Sequence, residues 1–260
     1  MADKAKGRIV WHDLMTTERD AAVDFYGGIT GWGTMPFEGG DGGDYLMWTV
    51  GEQPIGGVMT LPKEAAASGA PPHWIAYVAT DDIDGAVAKV VESGGNVRVP
   101  PTVIPTVGRF AVCSDPQGAI FALFEAEADA PGHDGDPKSG EFSWHELVTT
   151  DYRAAFDFYS TLFGWEKMDE MDMGPAGIYL LYGRNGRQLG GMFNKMPDMP
   201  MPPMWIEYAM VDDVDQASDK VKSAGGQILN GPMDVPGGDR IVQCMDPQGA
   251  MIALHSRAKA

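Results

Sequence analysis

The chain reads as an α+β protein built from two tandem copies of one domain. Three observations predict this: a long internal repeat, a β-α-β-β-β order that recurs twice in each copy, and a polar linker between the copies. The repeat is the strongest signal. Residues 11–26 (WHDLMTTERDAAVDFY) match 144–159 (WHELVTTDYRAAFDFY) at ten of sixteen positions. Residues 109–123 (RFAVCSDPQGAIFAL) match 240–254 (RIVQCMDPQGAMIAL) at nine of fifteen. Between them, 72–84 (PHWIAYVATDDID) corresponds to 203–215 (PMWIEYAMVDDVD). The expected domains are 1–126 and 141–260. The segment 127–140 (EADAPGHDGDPKSG) has the Gly, Pro and Asp content of an exposed linker.

The elements of the first copy follow in order. RIVWHDLMT is a strand. TERDAAVDFYGGITG carries Ala21, Ala22, Phe25 and Tyr26 at helical spacing, with Thr17 expected as N-cap. DYLMWTV and IGGVMTL are short strands between Gly-rich turns. HWIAYVAT is the next strand, and DIDGAVAKVVESGG a helix that Gly94 and Gly95 should end. Strands near NVRVPPTV, RFAVCS and AIFALFEA close the copy, with Asp-Pro-Gln-Gly as the last turn (115–118, again at 246–249).

Composition narrows the function classes. The net charge of −18 repels phosphate backbones and anionic membranes, so neither nucleic acid nor membrane is an expected partner. No apolar run approaches the ~20 residues of a membrane helix, and the charged N-terminus is unlike a secretory signal. Two cysteines, Cys113 and Cys244, make no disulfide framework and fit a reduced, cytoplasmic protein. Nucleophile-elbow, C-x-x-C and dinucleotide fingerprints are absent from the sequence.

The repeated WH(D/E)L strand with AA(V/F)DFY helix, the strand ending in DD(I/V)D and the Arg…DPQG ending together resemble the vicinal oxygen chelate superfamily of glyoxalases, bleomycin-resistance proteins and extradiol dioxygenases. The resemblance covers nearly the whole chain, twice. It implies four βαβββ modules forming two eight-stranded open-barrel domains, each a curved sheet around a small-molecule cavity, and a pairing of the two copies within the chain. Family enzymes hold one divalent metal with His and Glu. The resemblance places those ligand positions on Trp11, Ile75 and Ala122, and on Trp144, Ile206 and Ala253. These types do not bind metal, so neither a metal nor another cofactor is expected. His12 and His145, one residue along, point to the opposite face.

Strand alternation then supplies the candidate site. Trp11 and Asp13 share a face, as do Trp144 and Glu146. His73 and Tyr77 share one, as do Tyr208 with the strand position of Ile206, Phe124 with Ala122, and His255 with Ala253. A carboxylate recurring inside the sheet (Asp13, Glu146) is either a polar anchor or half of an ion pair with Arg109 or Arg240. The arginines could equally hold an anionic ligand. Tryptophan and tyrosine on the cavity face favour a partly aromatic ligand. The expected function is therefore binding of a small, partly aromatic organic molecule without a catalytic metal. Two alternatives stand beside it: a metal-dependent lyase, isomerase or dioxygenase with a site relocated to Asp13, His73, Glu146 or His255, and an interaction module with degenerate cavities. The Met-Pro run at 195–205 is expected to be a loop over the second cavity, and the Gly-rich run at 38–44 a hairpin turn or flap.

Overall fold

Alternating apolar residues on short strands and two amphipathic helices per copy give the same order of strands and long helices twice, with one short helix added in the first copy. The first copy runs β1 (Ile9–Thr16), α1 (Arg19–Thr30), β2 (Gly33–Pro36), β3 (Leu46–Val50), β4 (Gln53–Thr60), α2 (Lys63–Ala67), β5 (His73–Ala79), α3 (Ile83–Glu92), β6 (Asn96–Ile104), β7 (Gly108–Ser114) and β8 (Ile120–Ala126). The second runs β9 (Phe142–Thr149), α4 (Tyr152–Phe163), β10 (Glu166–Asp172), β11 (Ile178–Arg184), β12 (Arg187–Asn194), β13 (Met204–Met210), α5 (Val214–Ser223), β14 (Gln227–Asp234), β15 (Arg240–Met245) and β16 (Met251–Ser256). This computed structural model describes residues 5–37, 39, 44–197 and 199–258. Of the Gly-rich run at 38–44, all but Gly39 and Asp44 lie outside the described residues.

The strands form two open eight-stranded sheets, ordered β2-β3-β4-β1-β5-β8-β7-β6 and β10-β11-β12-β9-β13-β16-β15-β14. Within each, β1 with β4, β5 with β8, β12 with β9 and β13 with β16 run parallel, and the hairpins are antiparallel. The sheets are mixed, as a βαβββ unit requires: the helix carries the chain to the far strand, tight turns bring two antiparallel strands back, and the last of them pairs in parallel with the first strand.

Two elements escaped the sequence reading. β2 has only four residues, all exposed, so no alternation marks it. α2 is a single short turn that buries nothing. The expected cap Thr17 is not one: α1 starts after Glu18, which makes no side-chain cap. α3 ends at Glu92, and Gly94 follows in the left-handed conformation.

Packing groups the chain into two compact units whose boundaries cut across the repeat. Unit 1 comprises residues 1–11, 75–134 and 144–205; unit 2 comprises 12–74, 135–143 and 206–260. Unit 1 therefore joins β5 through β8 of the first copy to β9 through β12 of the second. Unit 2 joins the opposite halves. Each has its own core. In unit 1, α3 and α4 cover Phe121, Leu123 and Leu147, with Tyr159, Trp165 and Trp205. In unit 2, α1 and α5 cover Leu14, Trp48 and Ile252, with Tyr26, Trp32 and Trp74. The linker is divided too. Its Asp134 is held in unit 1 by Arg8 at 2.7 Å and Arg184 at 2.9 Å.

The same hydrogen-bonded chain ties helix to turn in both units. In unit 1 Trp205 Nε1 donates to Tyr159 Oη (3.0 Å), which donates to Asp115 of the DPQG turn (3.1 Å). In unit 2 Trp74 Nε1 donates to Tyr26 Oη (3.1 Å), which donates to Asp246 (2.9 Å). Burial pushes both tyrosine hydroxyls well above their ordinary range. It also raises both aspartates, against the backbone N–H groups of the turn that favour the carboxylate.

Candidate functional site

The recurring acid of the first strand sits the same way in both units. In unit 2, Asp13 lies on β1 opposite Gly57 of β4, 5% exposed, and Tyr45 Oη donates to its Oδ1 at 2.7 Å. In unit 1, Glu146 lies on β9 opposite Gly191 of β12, and Tyr179 Oη donates to its Oε2 at 2.8 Å. Trp144 Nε1 donates in turn to Tyr179 Oη at 2.9 Å. The glycine is needed in each case. A Cβ at Gly57 would collide with the Tyr45 hydroxyl and Asp13, and one at Gly191 with the Tyr179 ring. Strand register puts tyrosine, glycine and acid on one face of the sheet. The tyrosines were missed in the sequence. The signal was there, since Tyr45-Leu46 and Tyr179-Leu180 occupy equivalent positions.

The other candidates divide between the units. Trp11, Tyr77, Arg109, Phe124, Trp144 and Glu146 belong to unit 1, and Asp13, His73, Tyr208, Arg240 and His255 to unit 2. Asp13 and Tyr77 stand on neighbouring strands of one sheet (β1 and β5), and Glu146 and Tyr208 on neighbouring strands of the other (β9 and β13). The compact units group them otherwise, Asp13 with Tyr208 and Glu146 with Tyr77.

In unit 1, Tyr77 packs 6.2 Å from Phe110 between ring centroids, and Phe110 pairs across the strands with Phe124. This gives that face an aromatic floor. Trp11 is half-buried on β1. In unit 2, Gln243 Nε2 donates to Tyr208 Oη at 3.0 Å. His255 Nδ1 faces Ser143 Oγ at 2.9 Å, and its Nε2 faces Asp239 at 2.9 Å. His73 sits at a strand start, its Nδ1 2.8 Å from the Pro71 carbonyl.

The arginines have other partners than the sheet carboxylates. Arg109 pairs with Asp84 at 2.9 Å and Glu125 at 3.3 Å. Arg240 pairs with Asp215 at 2.9 Å and Asp234 at 2.7 Å. Lys195 Nζ donates to the Met201 carbonyl at 2.8 Å, pinning the Met-Pro loop.

A buried acid that sequence reading passed over lies on β13. Glu207 is fully buried, and burial raises its carboxyl to about 8. In the same unit, His12 Nε2 is 3.8 Å from Glu207 Oε2, and the His12 ring stacks on Phe142 at 3.7 Å. In unit 1, burial lowers His145 to about 4 despite the Leu189 carbonyl beside its Nδ1. Glu207 hid within PMWIEYAM because its equivalent in the first copy is Ala76.

Comparison with known proteins agrees with this architecture. The model of the Glyoxalase/Bleomycin resistance protein/Dioxygenase superfamily matches residues 8–123 and 141–254. The chain belongs to that superfamily. It is 35% identical over 247 residues to a Mycobacterium tuberculosis protein named "Putative glyoxylase CFP32", covering 94% of this chain and 92% of that one. It is 30% identical over 257 residues to "Anthracycline biosynthesis protein DnrV" of Streptomyces peucetius, covering 95% and 92%. Among solved structures, the 2,3-dioxygenase LapB from Pseudomonas sp. KL28 superposes with a TM-score of 0.68 at 10% identity over 99% of this chain and 94% of that one. The Mn(II)-bound glyoxalase from Novosphingobium aromaticivorans gives 0.64 at 16% identity, over 98% and 83%. These last two share the fold.

The residues at the superfamily's ligand positions do not fit a divalent metal. Ile75, Ala122, Ile206 and Ala253 are alkyl groups at most 2% exposed, and Trp11 and Trp144 offer only an indole N–H. A divalent ion needs about three N, O or S donors. Buried donors of that type are His12 and Glu207 in unit 2 and His145 in unit 1, each one residue along its strand from such a position and so on the opposite face. Among the described residues, no helix is long and apolar enough to cross a membrane.

Proposed function

We propose that the protein binds a small, partly aromatic organic molecule bearing a hydrogen-bond donor or a cationic group, without a catalytic metal at the superfamily's ligand positions. The observation that carries this reading is the tyrosine-held carboxylate over a glycine, built twice, as Asp13–Tyr45 and Glu146–Tyr179. A carboxylate with one oxygen already hydrogen-bonded is a fixed acceptor, and it costs little reorganisation when a donor arrives. In unit 1 the aromatic residues Tyr77, Phe110 and Phe124 offer apolar area and stacking faces to a flat ring. The relative named for anthracycline biosynthesis is in line with such a ligand. The two thiols, free and buried, are in line with a reducing cytoplasm as the site of this proposed activity.

The test is a thermal-shift screen of aromatic amines and phenols on metal-stripped protein. A ligand should raise the melting temperature and bind at least ten-fold more weakly to Glu146→Gln or Tyr179→Phe. Unchanged affinity in both variants and in Asp13→Asn would reject the carboxylate as anchor. Elemental analysis completes it. About one tightly held ion per chain, needed for binding, would overturn the metal-free reading.

A further inference from the structure

Unit 2 holds a hydrogen-bonded series that the carboxylate–tyrosine anchors above do not use. Ser143, the second residue of β9, is half-buried, and its Oγ lies 2.9 Å from Nδ1 of His255 on β16. The other ring nitrogen, Nε2, lies 2.9 Å from Oδ2 of Asp239. Asp239 is itself fixed, since its Oδ1 accepts the Ala258 backbone N–H at 2.9 Å. Burial pushes the Asp239 carboxyl up, but the Ala258 N–H and the His255 ring outweigh it and hold it below the ordinary range.

An ionised Asp239 selects the tautomer with the proton on Nε2. The Nδ1 lone pair then faces the serine hydroxyl, whose other acceptor, the Tyr208 carbonyl, is farther away at 3.2 Å. Both distances along the series fall within the range of a nucleophile and its oriented base.

The fold does not demand these groups. At the equivalent places of the first copy stand Val10, Phe124 and Gly108, with Val10 and Phe124 buried as ordinary apolar residues in unit 1. The three polar residues occur together in one unit and none of them in the other.

We infer that Ser143, His255 and Asp239 form a nucleophile, base and orienting acid, and that the protein takes up the acyl group of an activated ester at Ser143. The Oγ–carbonyl carbon bond forms while the hydroxyl proton passes to His255 Nδ1. The ester C–O bond then breaks, and His255 returns the proton to the departing oxygen. Water releases the acyl group by the reverse sequence, giving the free acid and restoring the serine.

The probe is p-nitrophenyl acetate on the full-length chain. The expected result is a burst of up to one nitrophenolate per chain, and one acetyl group on the peptide containing Ser143 by mass spectrometry. Ser143→Ala and Ser143→Val, the latter importing the side chain of position 10, should abolish both. His255→Phe, which imports that of position 124, should slow acylation by ~10²-fold or more. Asp239→Asn should slow it about as much, because its amide, with the oxygen still on the Ala258 N–H, donates to Nε2 and leaves the proton on Nδ1, where the base is needed. Absence of acetyl at Ser143, or an acylation rate indifferent to His255→Phe, would overturn the inference. Loss of ligand binding in the Asp13 or Glu146 variants bears on the carboxylate–tyrosine anchors, none of whose residues belongs to this series, and leaves this result untouched.

Discussion

In unit 1 the side-chain oxygen of Gln117 accepts four hydrogen bonds from the start of α4: Thr149 Oγ1 at 2.7 Å, Thr150 N at 2.9 Å, Thr150 Oγ1 at 2.5 Å and Asp151 N at 2.6 Å. Its amide nitrogen donates to the Asp151 carbonyl at 2.8 Å. In unit 2 the same DPQG residue is Gln248, and the facing segment is Thr16, Thr17 and Glu18. There Gln248 Oε1 and Thr16 Oγ1 both lack a hydrogen-bond partner among the described residues. The helices differ accordingly. Asp151 caps α4 by accepting from Arg153 N and Ala154 N, whereas Glu18 makes no side-chain cap on α1. Duplication has kept the backbone, the Trp–Tyr–Asp series and the carboxylate–tyrosine pair. It has let the capping of one helix lapse, and it has put an acid, Glu207, where the other copy has Ala76.

The largest expected effect comes from that acid. Folding keeps Glu207 protonated up to about pH 8, against an ordinary value of 4.5. Between these values the folded chain binds more protons than the unfolded one, so stability falls as pH rises from about 4.5 to about 8. His145 in unit 1 works the other way. Burial lowers it from 6.5 to about 4, the unfolded chain binds the extra proton in between, and stability rises with pH over that window. Glu207→Gln should therefore melt higher than the parent by an amount that grows between about pH 5 and pH 8, reaching a few kcal/mol. His145→Gln should flatten the acid-side slope instead. A parallel offset of the melting curves across the whole range would show that neither group carries the difference between the units.

The shared Trp–Tyr–Asp series gives a smaller effect of equal size on both sides. Removing the hydroxyl in Tyr159→Phe takes an acceptor from Trp205 and a donor from Asp115, and Tyr26→Phe does the same to Trp74 and Asp246. Each should cost about 1–3 kcal/mol in chemical denaturation, the penalty for stranding a buried polar group. The two should agree to within ~0.5 kcal/mol, the usual scatter for independent sites. A larger gap would mean that the copied geometry is not energetically copied.

Much of this was legible in the sequence. The repeat fixed the β-α-β-β-β order, and period-two alternation placed Asp13 and Glu146 inside the sheet. β2 and α2 were not legible because they bury too little to leave a pattern. The compact units were hidden for a different reason. Alternation assigns residues to faces of a strand, but it carries no information on which half of a duplicated chain packs with which. Tyr45 and Tyr179 were visible as a repeated Tyr-Leu pair, yet nothing local shows that a tyrosine reaches across to the first strand. The glycines opposite the acids were the clue, since Gly57 and Gly191 exist to admit those rings.

The smallest effect sharpens the opening comparison most. Gln117→Ala removes the acceptor of four donors at the α4 N-terminus, three of them in the Thr150-Asp151 turn that is largely open to water. Water replaces part of what is lost, so the cost should be that of one helix cap, about 1 kcal/mol. Thr149 is the exception. Its residue is fully buried, and its hydroxyl would lose the Gln117 acceptor it now uses. Gln248→Ala deletes a buried oxygen that already lacks a partner, so the change should cost nothing and stabilise by up to about 1 kcal/mol. Restoring the missing cap offers the converse. Glu18→Asp shortens the side chain to the length of Asp151, whose Oδ1 reaches Arg153 N and Ala154 N at 3.1 Å, and should stabilise α1 by several tenths of a kcal/mol. Urea denaturation of the three variants at constant slope decides the matter. If Gln248→Ala costs as much as Gln117→Ala, the junction of unit 2 is closed in solution and the asymmetry between the units fails at this point.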